Sequence, residues 1–320
     1  MDQNLEYKNA LVNKFKEFES SLNGEKNSAL HKIRLDALAN FSQMNVPTTH
    51  DEDWRFTNLA PIFKGTFNPS IAYKKLDKKA VNSSIYSKLD CPILVFVNGI
   101  YSEELSKVEA LPKQISLLKI SDLYAEDGAL KTKDFFRFTE NKNIFSELNT
   151  AFANEGIFLS VPRNFTPEAP IYILNIADSG NEKYLIQPRS YFLAGKNSQI
   201  HIIEHFISVN NDEYFTNALT NFHLAENSIV RYTRLQEESS SSFHMSNTNI
   251  DVEKDASFSS HLVSLGGKIA RNNINVKFRG EGGYASLNGL YLTDGEQLFD
   301  AHTVIDHDNR LNPDSTNKKH

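Results

Sequence analysis

The chain has 320 residues, 40% of them hydrophobic and 23% charged, which excludes an intrinsically disordered protein because enough apolar surface is present for a core. The formal charge of −6 comes with scattered lysines and arginines, so nothing in the charge pattern favours nucleic acid or an anionic membrane as a partner. The one cysteine, Cys91, excludes an intramolecular disulfide and any multi-cysteine metal site, and we expect it to be a small apolar residue beside a strand.

No segment has the features of a membrane span or a secretion signal. The longest uninterrupted apolar run, Ile93 to Val97, is far too short to cross a bilayer. The stretch from Met1 to Glu19 mixes charges into every turn and lacks the apolar region of a signal peptide. We therefore expect a cytoplasmic protein.

The amino-terminal residues predict two amphipathic helices. Apolar residues recur at helical spacing in a first segment that ends near Gly24 and in a second that begins near Ser28. The apolar positions are Leu11, Phe15, Phe18 and Leu22 in the first helix, and Leu30, Ile33, Ala37 and Phe41 in the second.

A turn-forming segment then leads to the only tryptophan. Thr49 and Glu52, three residues apart, predict a capping box for a short helix through Trp54. We expect Trp54 to anchor this segment on the domain, with contact to a partner as the alternative. Arg55 is expected to form an exposed ion pair with Asp51 or Glu52.

The next segment predicts a β-hairpin and a helix. Ile93 to Val97 is typical of a buried strand, and Asn98-Gly99 is the strongest short signal for a hairpin turn. Ile115 to Ile120 predicts another strand. Thr139 to Ala153 then predicts a helix, which Gly156 would end in the left-handed conformation. An α/β, helix-rich domain is expected over residues 1–155.

From residue 157 the apolar pattern becomes strand-like, and prolines such as Pro162 lie between the strands. Four polar or glycine corners then follow one another at intervals of 30, 28 and 27 residues. A period of this size without a helical pattern predicts a β-solenoid over residues 156–320, in which coils bury their inward faces by stacking. The predicted strands before the repeats are Ile157–Val161, Ile171–Ile176 and Tyr184–Gln187, and the corners are Asn197, Asn227, Asp255 and Gly282.

Two further features of the predicted solenoid are assigned to its turns. Glu237 to Ser242, which contains four consecutive serines, predicts a solvated loop between coils. Six glycines might suggest phosphate binding, but they lack the spacing of a P-loop and open strands rather than helices. We expect corner glycines at Gly266, Gly267, Gly280, Gly282, Gly283 and Gly289.

One segment matches the H-x-x-E-H pattern of a class of zinc peptidases. In His201-Ile202-Ile203-Glu204-His205 the pattern lies on a predicted strand, where two histidines four residues apart are about 13 Å from each other. Glu204 would also point to the opposite face from the histidines. We therefore expect polar residues on the outer face of a coil, and no zinc site.

A second polar cluster remains a candidate metal or proton-handling site. On a strand, Asp300, His302 and Asp306 would share a face, while His307 would turn away. The candidate ligands are Asp300, His302 and His307. The alternative is a set of solvated or hydrogen-bonded polar groups on the solenoid.

Several of these segments occur in the same order in a known family. The chain resembles the SufB/SufD family of iron-sulfur cluster assembly proteins, and SufD more than SufB, since the cluster-related cysteine of SufB has no counterpart here. The likeness covers almost the whole chain. Its motif residues include Glu52, Trp54, Arg55, Asn98, Gly99, Gly156, Pro162, Asn288 and Gly289.

The resemblance implies a right-handed parallel β-helix after a helical domain, and a non-catalytic scaffold that acts with SufB and the ATPase SufC. It also implies further coils and a carboxy-terminal helical domain, which the 320 residues lack, so we expect a truncated chain that no longer binds SufC. An iron-sulfur cluster is implied only for the parent assembly, with no cofactor held by this chain alone. A homo-oligomer is compatible with open strand edges.

The alternative function comes from the enzyme class. Exported β-helix proteins include carbohydrate lyases and hydrolases, which need clustered Asp, Lys or Arg on one outward face. The chain shows neither a signal peptide nor an evident cluster of this kind.

Overall fold

The computed structural model describes residues 3–22, 28–70, 75–76, 88–125, 142–180 and 182–307. The fold is mainly β, with a parallel solenoid of about five turns that follows a helical region. The predicted fold class is therefore confirmed.

The solenoid is built from two sheets whose strands alternate along the chain. The nine-stranded sheet has the order β16-β14-β12-β10-β8-β5-β4, with β7 beside β10 and β1 beside β7, and the seven-stranded sheet has the order β15-β13-β11-β9-β6-β2-β3. The strands are β1 (Asn68–Pro69), β2 (Ile93–Val97), β3 (Ile100–Lys107), β4 (Ser116–Lys119), β5 (Ile157–Val161), β6 (Ile171–Ala177), β7 (Tyr184–Ile186), β8 (Arg189–Ala194), β9 (Gln199–Ser208), β10 (Phe215–Leu224), β11 (Ile229–Glu237), β12 (Phe243–Val252), β13 (Ser257–Ser264), β14 (Ile269–Phe278), β15 (Tyr284–Tyr291) and β16 (Leu298–His307).

The predicted corners lie where the chain passes from one sheet to the other. Asn197, Asn227, Asp255 and Gly282 have φ of 58°, 58°, 56° and 71°, a left-handed conformation that Asn, Asp and Gly tolerate best. An earlier corner at Asn164, with φ of 59°, was not predicted. The Asn197 side chain donates to that of Asn164 at 2.8 Å, and Asn227 donates to Asn197 at 2.9 Å. The corners thus stack as well as turn.

The hairpin is also confirmed. Asn98 and Gly99 both have positive φ, 50° and 80°, as a tight two-residue turn requires. Strand β2 pairs with β3 in antiparallel fashion and with β6 in parallel, while β4 pairs with β5. Both sheets therefore continue on either side of residue 155.

Helices cover the outer face of the nine-stranded sheet. Their buried side chains form one cluster with strand residues such as Phe215, Phe243 and Ile269. The second helix is rotated from the predicted face: Ile33 is half-buried, while Arg34 is buried and donates to the Ala153 carbonyl at 2.7 Å. The helices are α1 (Gln3–Ser21), α2 (Ala29–Gln43), α3 (Ala60–Lys64), α4 (Ile120–Ala125) and α5 (Ile144–Ala151), with 3-10 turns at Glu52–Trp54 and Val108–Ala110.

Three local predictions in this region are wrong: the capping box, the bounds of α5 and the conformation of Gly156. Instead of a Thr49–Glu52 capping box, the Asp51 carboxylate accepts from the Thr48 amide at 2.7 Å. Of the predicted helix from Thr139 to Ala153, residues 139–141 lie outside the described residues, and helix α5 itself begins at Ile144 after the cap Asn143 and ends at Ala151.

Gly156 does not adopt a left-handed conformation. A Cβ at this position would lie 2.8 Å from the Arg189 carbonyl oxygen and 2.4 Å from Ile120 Cδ1. The glycine is therefore required by close packing rather than by the end of a helix.

Candidate functional site

The lumen between the two sheets has an apolar half and a polar half. On the apolar side, Phe192, Phe222, Ile250 and Val276 occupy successive strands in register and are all buried. The polar side carries charged groups at inward positions of the middle coils. These charged side chains are Glu204, Arg234, Glu238 and His244.

Glu204 spans the lumen from the seven-stranded sheet. It accepts hydrogen bonds from Tyr232 of the next coil and, at 3.3 Å, from Thr220 on the opposite sheet. Burial raises the pKa of the Glu204 carboxyl, and the Tyr232 hydrogen bond and the Arg234 charge offset this effect only in part. Burial therefore favours the protonated form of this carboxyl.

The H-x-x-E-H segment lies on strand β9, as predicted. His201 contacts Thr233 at 3.0 Å, and His205 lies between Tyr172 at 2.7 Å and Glu237 at 2.7 Å. Glu204 points to the other face of β9, which confirms the strand argument. The expected outer-face position is wrong for Glu204, which lies inside the lumen, whereas His205 lies on the outer face of β9 and is buried there beside Tyr172.

Glu238 and His244 form the second buried polar pair. The His244 Nδ1 lies 2.5 Å from the Glu238 carboxylate, which also accepts from Thr216 at 2.6 Å and Gln236 at 3.1 Å. Burial alone would raise the pKa of Glu238. His244 and the hydrogen bonds from Thr216 and Gln236 lower this pKa by more than burial raises it, so the net shift is downward. This carboxylate is therefore stabilised in its charged form.

The prediction of a solvated loop over Glu237 to Ser242 is wrong for half of its residues. Glu237 and Ser240 are exposed, but Glu238, Ser239 and Ser242 are buried, because the Glu238 carboxylate enters the lumen and the two serines find hydrogen-bond partners. A sequence signal did exist, since Glu204 and Arg234 are in register on adjacent coils. Ionisable residues repeated at the solenoid period on an inward position indicate a buried polar cluster.

The Trp54 segment is an anchor, as expected. The Trp54 ring packs against Phe145 with centroids 5.5 Å apart, and the Arg271 guanidinium lies 3.9 Å from the Trp54 centroid. Thr57 and Arg271 both donate to the Asp300 carboxylate. Arg55 lies over the Phe56 ring at 5.7 Å, and in the described chain no ion pair joins it to Asp51 or Glu52.

The candidate metal ligands are separated by their partners. Asp300 binds Arg271 and Thr57, His302 lies 3.9 Å from Asp53, and the His307 ring stacks on Phe278 with centroids 4.9 Å apart. Among the described residues, no three His, Cys, Asp or Glu side chains come together in a way that could hold a metal ion. These residues therefore do not fit a metal or cluster site. Cys91 is buried in an apolar cluster, and burial raises the pKa of its thiol.

The remaining motif residues have structural positions. Pro162 follows β5, and Asn288 donates to the Ser260 carbonyl at 3.3 Å from the neighbouring coil. Corner conformations with positive φ occur at Gly267 and Gly282. The prediction is wrong for Gly289, which lies within β15 rather than at a corner.

The inward stack is exposed at the last described coil. Ile305 continues the inward stack of Val276 in register, yet it is 52% exposed whereas Val276 is 1% exposed. Gly289 continues the inward row of Arg234 and Leu262, and a Cβ there would meet nothing within 4 Å. Among the described strands, β15 and β16 each have a neighbour on one side only. Tyr284, Leu290, Tyr291 and Leu292 are also more than half exposed.

Comparison with known proteins identifies the family to which the chain belongs. Residues 5–173 match the family model described as SufBD protein N-terminal region, and residues 176–313 match the one described as SUF system FeS cluster assembly, SufBD core domain. The chain belongs to the SufB/SufD family. The relatives described below are named as iron-sulfur cluster assembly proteins.

Curated relatives of this SufB/SufD family member include SufD itself. The chain is 27% identical over 295 residues to an iron-sulfur cluster assembly SufBD family protein of Synechocystis sp., covering 90% of this chain and 65% of the relative. It is 25% identical over 265 residues to the iron-sulfur cluster assembly protein SufD of Escherichia coli, covering 82% and 59%. Identity to the chloroplastic protein ABCI7 of Arabidopsis thaliana is 24% over 302 residues, covering 90% and 62%. The chain thus spans about three fifths of the length of these relatives.

The sequence resemblance to this family is confirmed, with SufD-like character. The helices in the described part of the chain include none that is both long and apolar enough to cross a membrane.

Proposed function

We propose that the chain is a non-catalytic scaffold component of iron-sulfur cluster assembly, which acts with a SufB-like protein and a SufC-like ATPase. The observation that carries the proposal is the match of residues 5–173 and 176–313 to the two SufBD family models, together with relatives named as iron-sulfur cluster assembly proteins. In the described chain the inward stack, which is sealed in the middle coils, ends at the 52% exposed Ile305, and we propose that a partner covers the apolar groups and strand edges there.

The surface of the last coil suits a second β-solenoid. Strands β15 and β16 offer unpaired backbone groups on one side, and exposed apolar side chains accompany them on both sheets. Edge pairing with another parallel strand would satisfy the backbone while burying Ile305, Leu290 and Tyr291. A SufB-like paralogue would supply such a strand, and we assign this contact to the last coil. The alternative is that the same strand edges pair with a second copy of this chain.

The charged residues of the lumen support a structural role rather than catalysis. The charged lumen residues are all buried, so a substrate has no access to them. Glu204 accepts from Thr220, Arg234 donates to Ser246, and His244 contacts Glu238. The outer face of the nine-stranded sheet is packed against helices and the Trp54 segment. We therefore propose that the chain is not an enzyme, and no observation favours the carbohydrate lyase alternative. Measurable cleavage of a polyuronide would contradict this.

The cluster is treated as cargo of the assembly rather than as a resident cofactor of this chain. Anaerobic reconstitution of the 320-residue chain with iron and sulfide should leave it colourless. A visible absorbance band that is lost in a His302→Ala, His307→Ala double variant would overturn this part of the proposal.

Co-expression and pull-down test the scaffold role. The 320-residue chain should retain a SufB-like protein and should not retain a SufC-like ATPase offered alone, because the family resemblance places that contact in a carboxy-terminal helical domain. Ile305→Glu should lose the SufB-like partner, whereas Val209→Glu, at a 44% exposed site away from the last coil, should keep it. Retention of the ATPase alone, or equal retention by both variants, would contradict the proposal.

A further inference from the structure

A groove on the helical region lies outside the surfaces used above. It runs between α1 and the segment from α3 to Thr66, and its volume is about 510 Å³. That volume falls within the range of small-molecule sites. The lining residues are Glu6, Tyr7, Ala10, Lys14, Phe63, Lys64 and Thr66.

The floor of the groove is aromatic and fixed. Tyr7 and Phe63 are 5% and 4% exposed, and their rings meet edge to face with centroids 5.6 Å apart. The Tyr7 hydroxyl donates to the Phe67 carbonyl at 3.1 Å, which ties α1 to the segment after α3. Ala10 lies one turn beyond the position of Tyr7 on α1, and its short side chain leaves space above this floor. An apolar body can therefore lie on the rings.

Two lysines from different elements border the same groove. Lys14 comes from α1 and Lys64 from the end of α3. Neither forms an ion pair or a hydrogen bond with another described residue. Glu6, on α1, lies eight residues before Lys14, about 12 Å away along the helix axis. The groove is thus bordered by two lysines that have no acidic partner among the described residues.

The wall opposite α1 is held in an uncommon backbone conformation. Thr66 has a φ of 51°, which is rare for a β-branched residue. It lies between Gly65, where a Cβ would reach within 2.1 Å of the Phe67 ring, and the buried Phe67. Strain of this kind is held only where the surroundings fix it and is frequent at ligand sites. The groove is therefore preformed.

We propose that this groove binds a small amphiphile with an apolar body and an anionic head, carboxylate or phosphate. The body lies on Tyr7 and Phe63 beside Ala10, and the head lies between the ammonium groups of Lys14 and Lys64. The site is separate from the last coil, so its occupancy and the scaffold contact can be tested independently.

Titration of the 320-residue chain with decanoate, decyl phosphate and decylammonium, followed by calorimetry, tests this site and separates the two head groups. Both anions, or one of them, should bind with a stoichiometry of one, and decylammonium about tenfold or more weakly. The Lys14→Gln, Lys64→Gln double variant should weaken anion binding about tenfold or more. Lys16→Gln, on the same helix but outside the groove, should leave it unchanged.

Ala10→Phe fills the groove while both lysines remain in the chain, and it should abolish binding; circular dichroism confirms that the helices remain. Absence of binding by both anions would overturn the proposal. So would equal affinity for decylammonium, or binding that survives Ala10→Phe.

Discussion

The middle coils and the last coil share one register but differ in what covers them. Phe222, Ile250 and Val276 are 1%, 2% and 1% exposed, while Ile305 at the next position of the same stack is 52% exposed. The side chains are alike in chemistry, so the difference comes from the neighbouring coil alone. In a solenoid, each coil is stabilised by the coil stacked on it, and the last described coil has no such neighbour among the described residues.

Truncation of the sealed stack should have the largest effect. Phe222→Ala is expected to lower the free energy of unfolding by about 4 kcal/mol, because it leaves a cavity among rings at 4.9 to 5.2 Å. Chemical denaturation measures this. A loss below about 1 kcal/mol would mean that the middle coils are not sealed.

A substitution in the polar half of the lumen should have the second largest effect on stability. His244→Ala removes one partner of a buried pair and should cost about 3 kcal/mol, since the Glu238 carboxylate is left buried without its closest hydrogen-bond partner. The free energy of unfolding, measured beside that of Phe222→Ala, compares the two halves. A neutral result would show that Glu238 finds another partner.

The two buried carboxyls should respond to pH in opposite senses. The pKa of Glu238 is lowered on folding, so its contribution is present above the ordinary glutamate pKa and is lost as pH falls through the folded-state value. The pKa of Glu204 is raised, so its contribution is present at low pH and is lost as pH rises through its folded-state value.

Glu238→Gln should therefore flatten the loss of stability in acid, and Glu204→Gln should flatten the loss at rising pH. Denaturation curves of both variants across pH provide matched controls for each other. The same pH profile for both would contradict the assignment of the two shifts.

Changes in the last coil should have the smallest effect on stability. Ile305→Ala and Gly289→Leu are each expected to change the free energy of unfolding by about 1 kcal/mol or less, since Ile305 is half exposed and nothing lies within 4 Å of a Cβ at Gly289. The same denaturation assay measures both. A cost near that of Phe222→Ala would show that the last coil is already closed in solution.

Much of the fold could be predicted because the relevant rules act locally. Asn197, Asn227, Asp255 and Gly282 were found from residue type and period, since few residues accept the left-handed backbone that each corner needs. Asn98-Gly99 was found for the same reason.

The predictions that failed depended on distant contacts. Arg34 is buried because its guanidinium reaches the Ala153 carbonyl, 119 residues away. Glu238 lies in a loop that is polar in composition, yet it is buried, because Thr216 and His244 provide partners for it inside the lumen.

Hydrogen exchange of the 320-residue chain, alone and with a SufB-like protein, tests the scaffold role most directly. The account predicts that partner binding slows exchange of the amides in β15 and β16 and leaves the middle coils, from β9 to β12, unchanged. Protection that appears elsewhere while β15 and β16 exchange as in the free chain would contradict it.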